Sequence, residues 1–316
     1  MPLHLSPAGP SSRRHFLKSL AGTTGVVLSP FGRSLRAADT SRPERWAFLS
    51  DTHIAEDPTF FARPDTNMAD NLKRVVAEVL AESDPLDGVF VDGDCAYNTG
   101  LKGDYETFGK LLKPLTDAGL PIHMTLGNHD DRGPFYEALN SLASDKGLVD
   151  GKHVSVIEGN SANWVLLDSL RFVNKVEGEF GEAQLTWLKG WLEANQEKPA
   201  ILVGHHYPQV FRDDVIPGDE KIKISGLIDS DAFLEIAEKH SHAKAYIYGH
   251  SHDWKTKSAD SGFHEVNLPP TAYVFNPEKP NGWVRCTVSG DGMELELRAL
   301  DPKHPQHGEK KSLAWR

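Results

Sequence analysis

The most constraining feature of the sequence is an arrangement that recurs five times, in which a short apolar run ends in Asp, Asn or His. The polar segments are Asp51-Thr-His53, Gly93-Asp94, Gly127-Asn-His-Asp130, Gly204-His-His206 and Gly249-His-Ser-His252. Amphipathic segments separate successive apolar runs, which is typical of folds in which strands and helices alternate. Because such folds collect polar side chains after the carboxyl ends of their strands, the pattern predicts one site assembled from five loops.

The apolar runs predict strands, and the segments between them predict helices. The first run, RWAFLS, ends at Asp51, and the runs DGVFVDGD and PIHMTLGNHD have the same form. One helical face between them collects the apolar residues Leu72, Val75, Val76, Val79 and Leu80. The segment YETFGKLLKPLTDAG predicts a second helix that Pro114 interrupts.

The second half of the chain predicts two more helices and a strand-rich end. After the strands HVSVIEG and NWVLLDS, the segment GEAQLTWLKGWLEAN predicts a helix with Leu185, Leu188 and Leu192 inward. SDAFLEIAEKHS predicts a helix capped by Ser230, and the segments FHEVNLP, TAYVF, GWVRCTVSG and MELELRAL predict strands. We expect a single α/β sandwich domain over residues 44–301, with helices outside, and a polar tail at residues 302–316.

Residues 1–38 resemble a twin-arginine signal peptide. The segment Ser12-Arg-Arg-His-Phe-Leu-Lys18 carries the paired arginines. The apolar run from Leu20 to Leu28 is too short and too rich in glycine to span a bilayer as a helix. The resemblance implies cleavage near Ala38 and a periplasmic or secreted protein exported by the twin-arginine route.

The charge balance argues against two classes of partner. The full chain has a net charge of −11; without residues 1–38, which carry five Lys/Arg and no Asp/Glu, 29 positive and 45 negative side chains leave −16. This charge disfavours long nucleic acids and anionic membranes, but a small phosphate-ester substrate is compatible with a local positive centre. No second apolar segment predicts stable membrane insertion after signal cleavage. Cys95 and Cys286 are too few for a disulfide framework, and we expect free thiols.

The five polar segments contain side chains that bind metal ions. Each segment alone is compatible with a helix cap or a turn, but five such coincidences in one alternating fold favour a common site. Asp51 and His53 are two residues apart, as are His250 and His252, and on a strand this spacing points both side chains to one side. His, Asp and Asn without a cysteine set favour Zn, Mn or Fe. At least seven ligands fit two ions that share a carboxylate better than one ion.

In this order, the five segments resemble the calcineurin-like metallophosphoesterase superfamily, whose pattern is D-x-H, G-D, G-N-H-D/E, a His after a strand, and G-H-x-H. All five blocks are present, and they span nearly the whole chain after residue 38. The stretch from LLDSL to GEFGEAQLTWLKGWLEAN, before HHYP, further resembles the bacterial cyclic-nucleotide phosphodiesterase branch. The resemblance implies a four-layer α/β/β/α metallophosphoesterase sandwich and a hydrolase of phosphate esters.

The resemblance also implies a ligand set for two metal ions. The residues implied for the first ion are Asp51, His53, Asp94 and His252. The residues implied for the second are Asp94, Asn128, His206 and His250, so that Asp94 bridges the two ions. The family ligand commonly stands two residues before a proline, which favours His206 over His205. We expect His205 to lie beside the ligands or to face the substrate, and the choice among Fe, Mn and Zn stays open.

The proton chemistry implied by the resemblance centres on His129. This residue faces the substrate and donates a proton to the leaving oxygen, with Asp130 orienting its ring and Gly127 giving the chain room to bend. The implied nucleophile is a hydroxide that bridges the metals, since two divalent ions outweigh two carboxylates and lower the pKa of a water molecule. A histidine near the metals but not bound to them suits the acid role.

Tyr97 departs from the phosphodiesterase pattern. Many of those enzymes read G-D-x-x-D, whereas this chain reads Gly93-Asp-Cys-Ala-Tyr97. A tyrosine there resembles the purple acid phosphatases, where the phenolate binds ferric iron, but His53 stands where those enzymes have glycine. Tyr97 is therefore either a metal ligand or a hydrogen-bonding neighbour of the ligands, and His53 favours the second role.

The leading hypothesis is an exported dinuclear metallohydrolase of phosphate esters, with diester or cyclic-nucleotide cleavage ahead of monoester cleavage. One alternative is a purple-acid-phosphatase-like phosphomonoesterase with Tyr97 as an iron ligand. Another is a non-catalytic module that binds metal or phosphate, which the complete ligand set disfavours. The irregular segments 54–67 and 209–226 are predicted to carry substrate specificity, and the oligomeric state stays open.

Overall fold

A computed structural model describes residues 4–5, 42–139, 147–209 and 224–315. The signal peptide predicted for residues 1–38 lies outside the described residues except for positions 4–5. Residues 210–223, which form most of the second segment predicted to carry specificity, also lie outside them. In the part of the chain that the structure describes, no helix is long and apolar enough to cross a membrane.

The described residues form fifteen strands and five helices, numbered here along the chain. The strands are His4–Leu5 (β1), Glu44–Ser50 (β2), Phe61–Arg63 (β3), Thr66–Asn67 (β4), Gly88–Asp92 (β5), Ile122–Thr125 (β6), Ser155–Glu158 (β7), Asn163–Leu166 (β8), Ala200–Val203 (β9), Ala243–Tyr248 (β10), Lys255–Ser258 (β11), His264–Asn267 (β12), Gly282–Ser289 (β13), Gly292–Ala299 (β14) and Lys310–Ala314 (β15). The helices are Met68–Leu80 (α1), Lys102–Asp117 (α2), Arg132–Ala138 (α3), Glu182–Ala194 (α4) and Ser230–Lys239 (α5).

The strands form two large sheets and one small hairpin. The first sheet has the order β1-β6-β5-β2-β13-β14-β15, in which β6, β5 and β2 run parallel and β13 pairs antiparallel with β2. The second has the order β11-β12-β10-β9-β8-β7, with β12, β10, β9 and β8 parallel. Among the described strands, β3 and β4 pair only with each other. The parallel strands of each sheet therefore end at one edge of that sheet.

The two sheets and the helices form four layers. Ala47 and Leu49 belong to the core under helices α1–α3, whereas Trp46 and Phe48, which alternate with them along β2, belong to the core between the sheets. A third core, which includes Leu188 of α4, lies between the second sheet and helices α4 and α5. This arrangement confirms the predicted α/β/β/α sandwich. Cys95 and Cys286 are buried free thiols.

Several local predictions were wrong. Helix α2 continues through Pro114 to Asp117, because a proline in the last turn removes one hydrogen bond without breaking the helix. Ser230 is the first residue of α5 rather than its cap, and its hydroxyl donates to the carbonyl of Leu227. Leu80 is exposed at the end of α1.

The predictions for the carboxyl-terminal part also need correction in two places. Residues 271–275 form no strand; the N–H groups of Thr271 and Ala272 instead donate to the carbonyls of Ser50 and Asp51, beside the predicted site. Residues 302–316, predicted to form a polar tail, include β15, which pairs with β14 and buries Leu313. The first sheet therefore extends beyond the predicted boundary at residue 301.

Candidate metal centre

The predicted metal ligands lie just beyond strand ends, in backbone conformations that side chains rarely adopt. Among the described residues, those other than glycine with a positive φ, between 45° and 64°, are Asp51, His53, Asp94, Asn174, His250 and His252. Five of them are predicted ligands, and Asn174 donates its N–H to the carbonyl of a sixth predicted ligand, Asn128, at 2.6 Å. Because left-handed backbone costs roughly 1–2 kcal/mol per residue with a Cβ, its concentration here indicates a functional site.

The two i, i+2 pairs do not lie on strands, so the prediction from strand geometry was wrong. β2 ends at Ser50, before Asp51 and His53, and β10 ends at Tyr248, before His250 and His252. Left-handed turns orient these side chains instead of strand alternation. As a result, His252 lies with Asp51 and His53, whereas His250 lies with Asp94 and His205.

Three overlapping clusters of potential metal-binding atoms form a continuous row. Within each cluster, one such atom per residue lies within 4.8 Å of the others. The clusters are Asp51–His53–His252, His53–Asp94–His129 and Asp94–His205–His250. Asp94 Oδ2 lies 3.7 Å from His53 Nε2 and 3.3 Å from His205 Nε2. One carboxylate therefore contacts both halves of the row, as a bridging ligand must.

In four imidazoles of the row, one ring nitrogen is hydrogen-bonded to a backbone carbonyl; we call it the outer nitrogen, and the other one the inner nitrogen. The pairs of nitrogen and backbone carbonyl are His53 Nδ1 with Tyr97 (3.4 Å), His252 Nδ1 with Tyr273 (2.6 Å), His205 Nδ1 with Asp92 (3.2 Å) and His250 Nε2 with Ser225 (2.7 Å). Since a carbonyl only accepts hydrogen bonds, the bonded nitrogen carries a proton and the other nitrogen is available to a metal. Metal-binding histidines are commonly held in this way.

Two of these inner nitrogens face each other. His53 Nε2 and His252 Nε2 are 3.2 Å apart in a buried position, and His252 Nε2 also lies 3.2 Å from Asp51 Oδ1. When both rings are neutral, with their protons on the nitrogens bonded to Tyr97 and Tyr273, all three atoms are acceptors. Such atoms repel one another unless positive charge lies between them. The chemistry of this cluster therefore fits a bound cation.

At four of the potential ligands, burial and charge give the protonation states that metal binding requires. Burial lowers the pKa of His53 and of His250 to about 4, so both imidazoles are neutral at pH 7. Burial acts to raise the pKa of Asp51, but the nearby His252 and His205 outweigh it and lower that pKa to about 2. For Asp94, His205 likewise outweighs burial and holds the pKa well below its usual range.

His205, rather than His206, contacts Asp94. His205 Nε2 also lies 3.8 Å from Asp51 Oδ1, and the two carboxylates outweigh burial and raise the pKa of His205 to about 10. This position therefore attracts a proton or another cation. His206 bonds the hydroxyl of Ser169 through Nδ1 at 2.7 Å, and its buried Nε2 lacks a hydrogen-bond partner within the described ranges. Both imidazoles keep a nitrogen for a metal, so the preference for His206 stays a prediction.

Asn128 and two glycines complete the site. Asn128 is buried, and no described residue bonds its Oδ1, an atom type that binds hard cations. Gly127 does not have a positive φ, so it serves close approach rather than the predicted bend: a Cβ there would collide with Asp94 Oδ1. A Cβ on Gly249 would collide with Asp51 in the same way.

His129 lies half-buried at the edge of the row. Its backbone N–H donates to Asp94 Oδ1 at 2.8 Å, and its ring centroid is 5.2 Å from that of His53. Nδ1 contacts the carbonyl of Asn98 at 2.7 Å. This bond fixes the ring and leaves Nε2 for a bound ligand.

Asp130 does not orient His129, and the predicted pairing was wrong. The carboxylate of Asp130 is buried and accepts the hydroxyl of Tyr105 at 3.1 Å and the N–H groups of Cys95, Ala96 and Gly127 at 2.9–3.2 Å. Asp130 therefore joins the loop after β5 to the loop after β6, while the Asn98 carbonyl holds the imidazole. Burial raises the pKa of Asp130 to about 6. Adjacent residues in this turn send their side chains in different directions, which sequence spacing does not reveal.

Tyr97 contacts a predicted ligand through its backbone. Its carbonyl lies 3.4 Å from His53 Nδ1, and its ring packs against Phe60 with the centroids 4.8 Å apart. Of the two roles left open for Tyr97, this contact favours that of a neighbour to the ligands.

Sequence reasoning missed Asp92, the last residue of β5. It is fully buried, and its Oδ1 accepts the hydroxyl of Thr125 at 2.6 Å. Its Oδ2 lies 3.9 Å from His205 Nδ1 and has no hydrogen-bond partner among the residues described. Burial raises the pKa of Asp92 to about 7. The available signal was a carboxylate inside an apolar run, GVFVD, where an unpaired charge is costly.

Comparisons with known protein sequences point to phosphate-ester chemistry. Residues 45–254 match the sequence model of a family described as calcineurin-like phosphoesterase. The chain is 27% identical over 254 residues to a 3′,5′-cyclic adenosine monophosphate phosphodiesterase from Vibrio vulnificus, covering 79% of this chain and 84% of that protein. It is 26% identical over 163 residues to a glycerophosphodiester phosphodiesterase from Enterobacter lignolyticus, covering 51% and 56%.

Two solved structures share the fold. A dimetal phosphatase from Danio rerio has a TM-score of 0.64 and 16% identity, over 87% of this chain and 100% of that one. A purple acid phosphatase from yellow lupin has a TM-score of 0.60 and 14% identity, over 86% and 54%. At these identities the likeness concerns the fold alone.

Proposed function

The chain belongs to the calcineurin-like phosphoesterase family, and we propose that it cleaves phosphodiesters, cyclic nucleotides among them, with two bound metal ions. The observation that carries the proposal is the row of clusters in which Asp94 contacts both His53 and His205. The likeness to the cyclic AMP phosphodiesterase of Vibrio vulnificus supports the preference for diesters.

The proposed metal ligands fall into two sets that share Asp94. The first set is Asp51, His53, Asp94 and His252. The second set is Asp94, Asn128, His250 and one or both of His205 and His206. When bound, the ions would supply the positive charge that polarises a phosphoryl group and activates water. Carboxylates with neutral imidazoles suit Fe, Mn or Zn.

His129 is the proposed general acid. In its cationic form both ring nitrogens carry protons, and the Nδ1 proton is held by the carbonyl of Asn98. Nε2 would then deliver its proton to the leaving oxygen of the ester, and the ring would return to the neutral form with the Asn98 bond intact.

Activity assays on metal-loaded protein test the proposal directly. We expect turnover of 3′,5′-cyclic AMP and bis(p-nitrophenyl) phosphate to exceed turnover of the monoester p-nitrophenyl phosphate. The opposite preference would favour the phosphomonoesterase alternative. Folded, metal-loaded protein that cleaves none of the three would favour the non-catalytic binding module.

Substitution of His129 separates the acid role from metal binding. We expect His129→Ala to lower kcat by about 10²–10⁴-fold while the protein keeps its full metal content, because the acid contributes to catalysis and not to ligation. His240→Ala, a histidine of the α5 carboxyl terminus, is the matched control and should leave kcat unchanged. Loss of metal in the His129 variant would assign that residue to the ligand set instead.

The two adjacent histidines can be separated by metal analysis. His205→Ala and His206→Ala each remove one imidazole, and the variant that loses the larger share of bound metal identifies the ligand. We expect His205→Ala to have the larger effect, because His205 Nε2 contacts Asp94, whereas the contact seen for the His206 ring is with Ser169. The reverse result would restore the preference for His206 that the proline spacing suggests.

We also propose export by the twin-arginine route, supported by the Arg13-Arg14 pair. Replacing both arginines with lysine should retain active enzyme inside the cell, as measured by activity in separated cell fractions. Unchanged export of the variant would refute this part of the proposal.

A further inference from the structure

An exposed aromatic surface adjoins the candidate metal centre. Phe275 is 62% exposed, yet its ring stacks on the proposed ligand His252 with the centroids 4.3 Å apart and an interplanar angle of 21°. The ring of Tyr273 stacks on His53 at 5.2 Å and 22°. The carbonyl of Tyr273 also accepts the Nδ1 proton of His252 at 2.6 Å. The aromatic surface formed by Phe275 and Tyr273 therefore packs directly on the imidazoles of the first cluster.

A cation from a separate part of the chain lies on this surface. The guanidinium carbon of Arg63, in the β3–β4 hairpin, is 4.7 Å from the ring centroid of Tyr273 and 5.7 Å from that of Phe275. Arg63 is exposed, and it forms no ion pair with any carboxylate in the described part of the chain. On the same strand, Phe61 is 55% exposed. A large aromatic ring left in water beside a reactive centre is typical of a ligand-binding surface.

We propose that Phe275, Tyr273 and Arg63 bind the base of a nucleotide substrate whose phosphate lies at the metal centre, an inference that rests on the proposed function. The base would stack on the exposed part of the Phe275 ring. Arg63 would lie at its edge, where the five N–H donors of a guanidinium match the ring nitrogens and carbonyl oxygens of a base. The first specificity segment, 54–67, would thereby contribute to recognition through Arg63.

A quaternary ammonium group is the other ligand that aromatic rings commonly bind. Phosphodiesters with a choline head group carry such a cation. Arg63 argues against this ligand, because its own positive charge already lies against the faces of Tyr273 and Phe275 and would repel a second cation. A neutral planar ring can share the surface with arginine.

Binding of three small phosphates to the metal-loaded protein tests the inference without relying on turnover. Isothermal titration would compare adenosine 5′-phosphate, ribose 5-phosphate, which lacks the base, and phosphocholine. We expect adenosine 5′-phosphate to bind about tenfold more tightly than ribose 5-phosphate, as base–aromatic stacking predicts. Phosphocholine should bind no more tightly than ribose 5-phosphate.

Variants assign the preference to particular side chains. Phe275→Ala should remove the preference for adenosine 5′-phosphate and leave ribose 5-phosphate affinity unchanged, whereas Phe275→Tyr should preserve it. Arg63→Ala should weaken adenosine 5′-phosphate binding about threefold and strengthen phosphocholine binding. Lys73→Ala removes an exposed cation that pairs with Asp70 on α1, and it should change neither affinity.

The outcomes distinguish this inference from the proposed function. Equal affinities for adenosine 5′-phosphate and ribose 5-phosphate in the unmodified protein would overturn the inference and leave the phosphoesterase intact. An equal loss of both affinities in Phe275→Ala would also overturn it, since the ring would then only support the metal ligand His252. Failure to bind any of the three phosphates would count against the metal-centre function itself, and the base site would fall with it.

Discussion

The carboxyl and amino ends of the parallel strands differ in how their backbone and buried groups are arranged. At the carboxyl ends, five proposed ligands have left-handed backbone within the described residues. Towards the amino ends, no described residue other than glycine has a positive φ, and the rings of Trp46, Phe90 and Trp164 pack with centroids 4.8–5.7 Å apart. The carboxyl ends therefore combine left-handed backbone with polar side chains, whereas the packing towards the amino ends is largely aromatic.

The buried polar atoms without hydrogen-bond partners differ in what surrounds them. In the described residues, Asn128 Oδ1 and His206 Nε2 lack hydrogen-bond partners at the carboxyl ends, and both can act as acceptors or metal ligands. At the amino ends, the buried atoms without partners include the indole nitrogen of Trp164, which only donates, but also Glu44 Oε2 and Asn163 Oδ1, which can accept. The comparison teaches that a buried unpaired atom indicates a metal site only where other potential ligands lie beside it, as they do in the three clusters at the carboxyl ends. Packing at the amino end stabilises the fold, and this stability offsets the free-energy cost of the strained, reactive groups at the carboxyl end.

The largest effect should come from Asp94, the carboxylate common to two clusters. We expect Asp94→Ala to lower kcat by at least about 10³-fold and to reduce metal content at both sites, because one side chain contacts each half of the row. Metal analysis and turnover of bis(p-nitrophenyl) phosphate would measure both effects. Loss of a single metal with activity retained would show that the halves are independent.

A substitution at the amino end should have the opposite profile. Trp164→Ala should reduce the free energy of unfolding by about 3–5 kcal/mol, because it leaves a cavity between the sheets. Turnover per folded molecule should be unchanged. Urea unfolding would measure the stability change, and Trp164→Phe should be milder. A fall in kcat of the folded protein would show that the two ends are coupled.

Backbone strain at the carboxyl ends predicts an unusual order of stabilities. At His252, where φ is 51°, the Gly variant should be more stable than the Ala variant by about 1 kcal/mol in metal-free protein. At Thr186 on helix α4 the order should reverse, with Gly less stable than Ala by about 1 kcal/mol. Thermal unfolding of the four variants would test this. The same order at both positions would mean that the left-handed turn is not strained.

The smallest effect should come from Glu44, a buried carboxyl at the amino end of β2. Burial raises its pKa, although hydrogen bonds from the N–H groups of Asn160 and Ser161 partly offset the increase. Because the folded state holds this proton more tightly than the unfolded state, the stability that the proton provides is lost as pH rises from the ordinary glutamate pKa of 4.5 through the raised pKa. Glu44→Gln should gain stability relative to the parent protein over that window, measured as the difference in unfolding free energy. A difference that does not vary with pH would assign the effect to packing.

The local sequence pattern was sufficient to predict the layers of the fold and most of the residues that lie together at the site. Alternating apolar residues along a strand and apolar residues at helical spacing report which faces must be buried, so the four layers followed from the sequence and the family resemblance. The residue types that bind metals, each placed after an apolar run, similarly predicted the side chains of the three clusters. Asp92 was missed because its charge lies inside such a run, where pattern alone assigns it to the strand.

Tertiary structure decided the orientation of individual groups. It placed His205 against Asp94, turned Asp130 away from His129, and brought Arg63 onto Tyr273 and Phe275 from more than two hundred positions away in the chain. These outcomes depend on left-handed torsions and on contacts between distant loops, which spacing along the sequence does not specify. The amino-acid sequence therefore determined which chemical groups reach this edge of the sheets, and the fold determined which atom of each group faces the ligand.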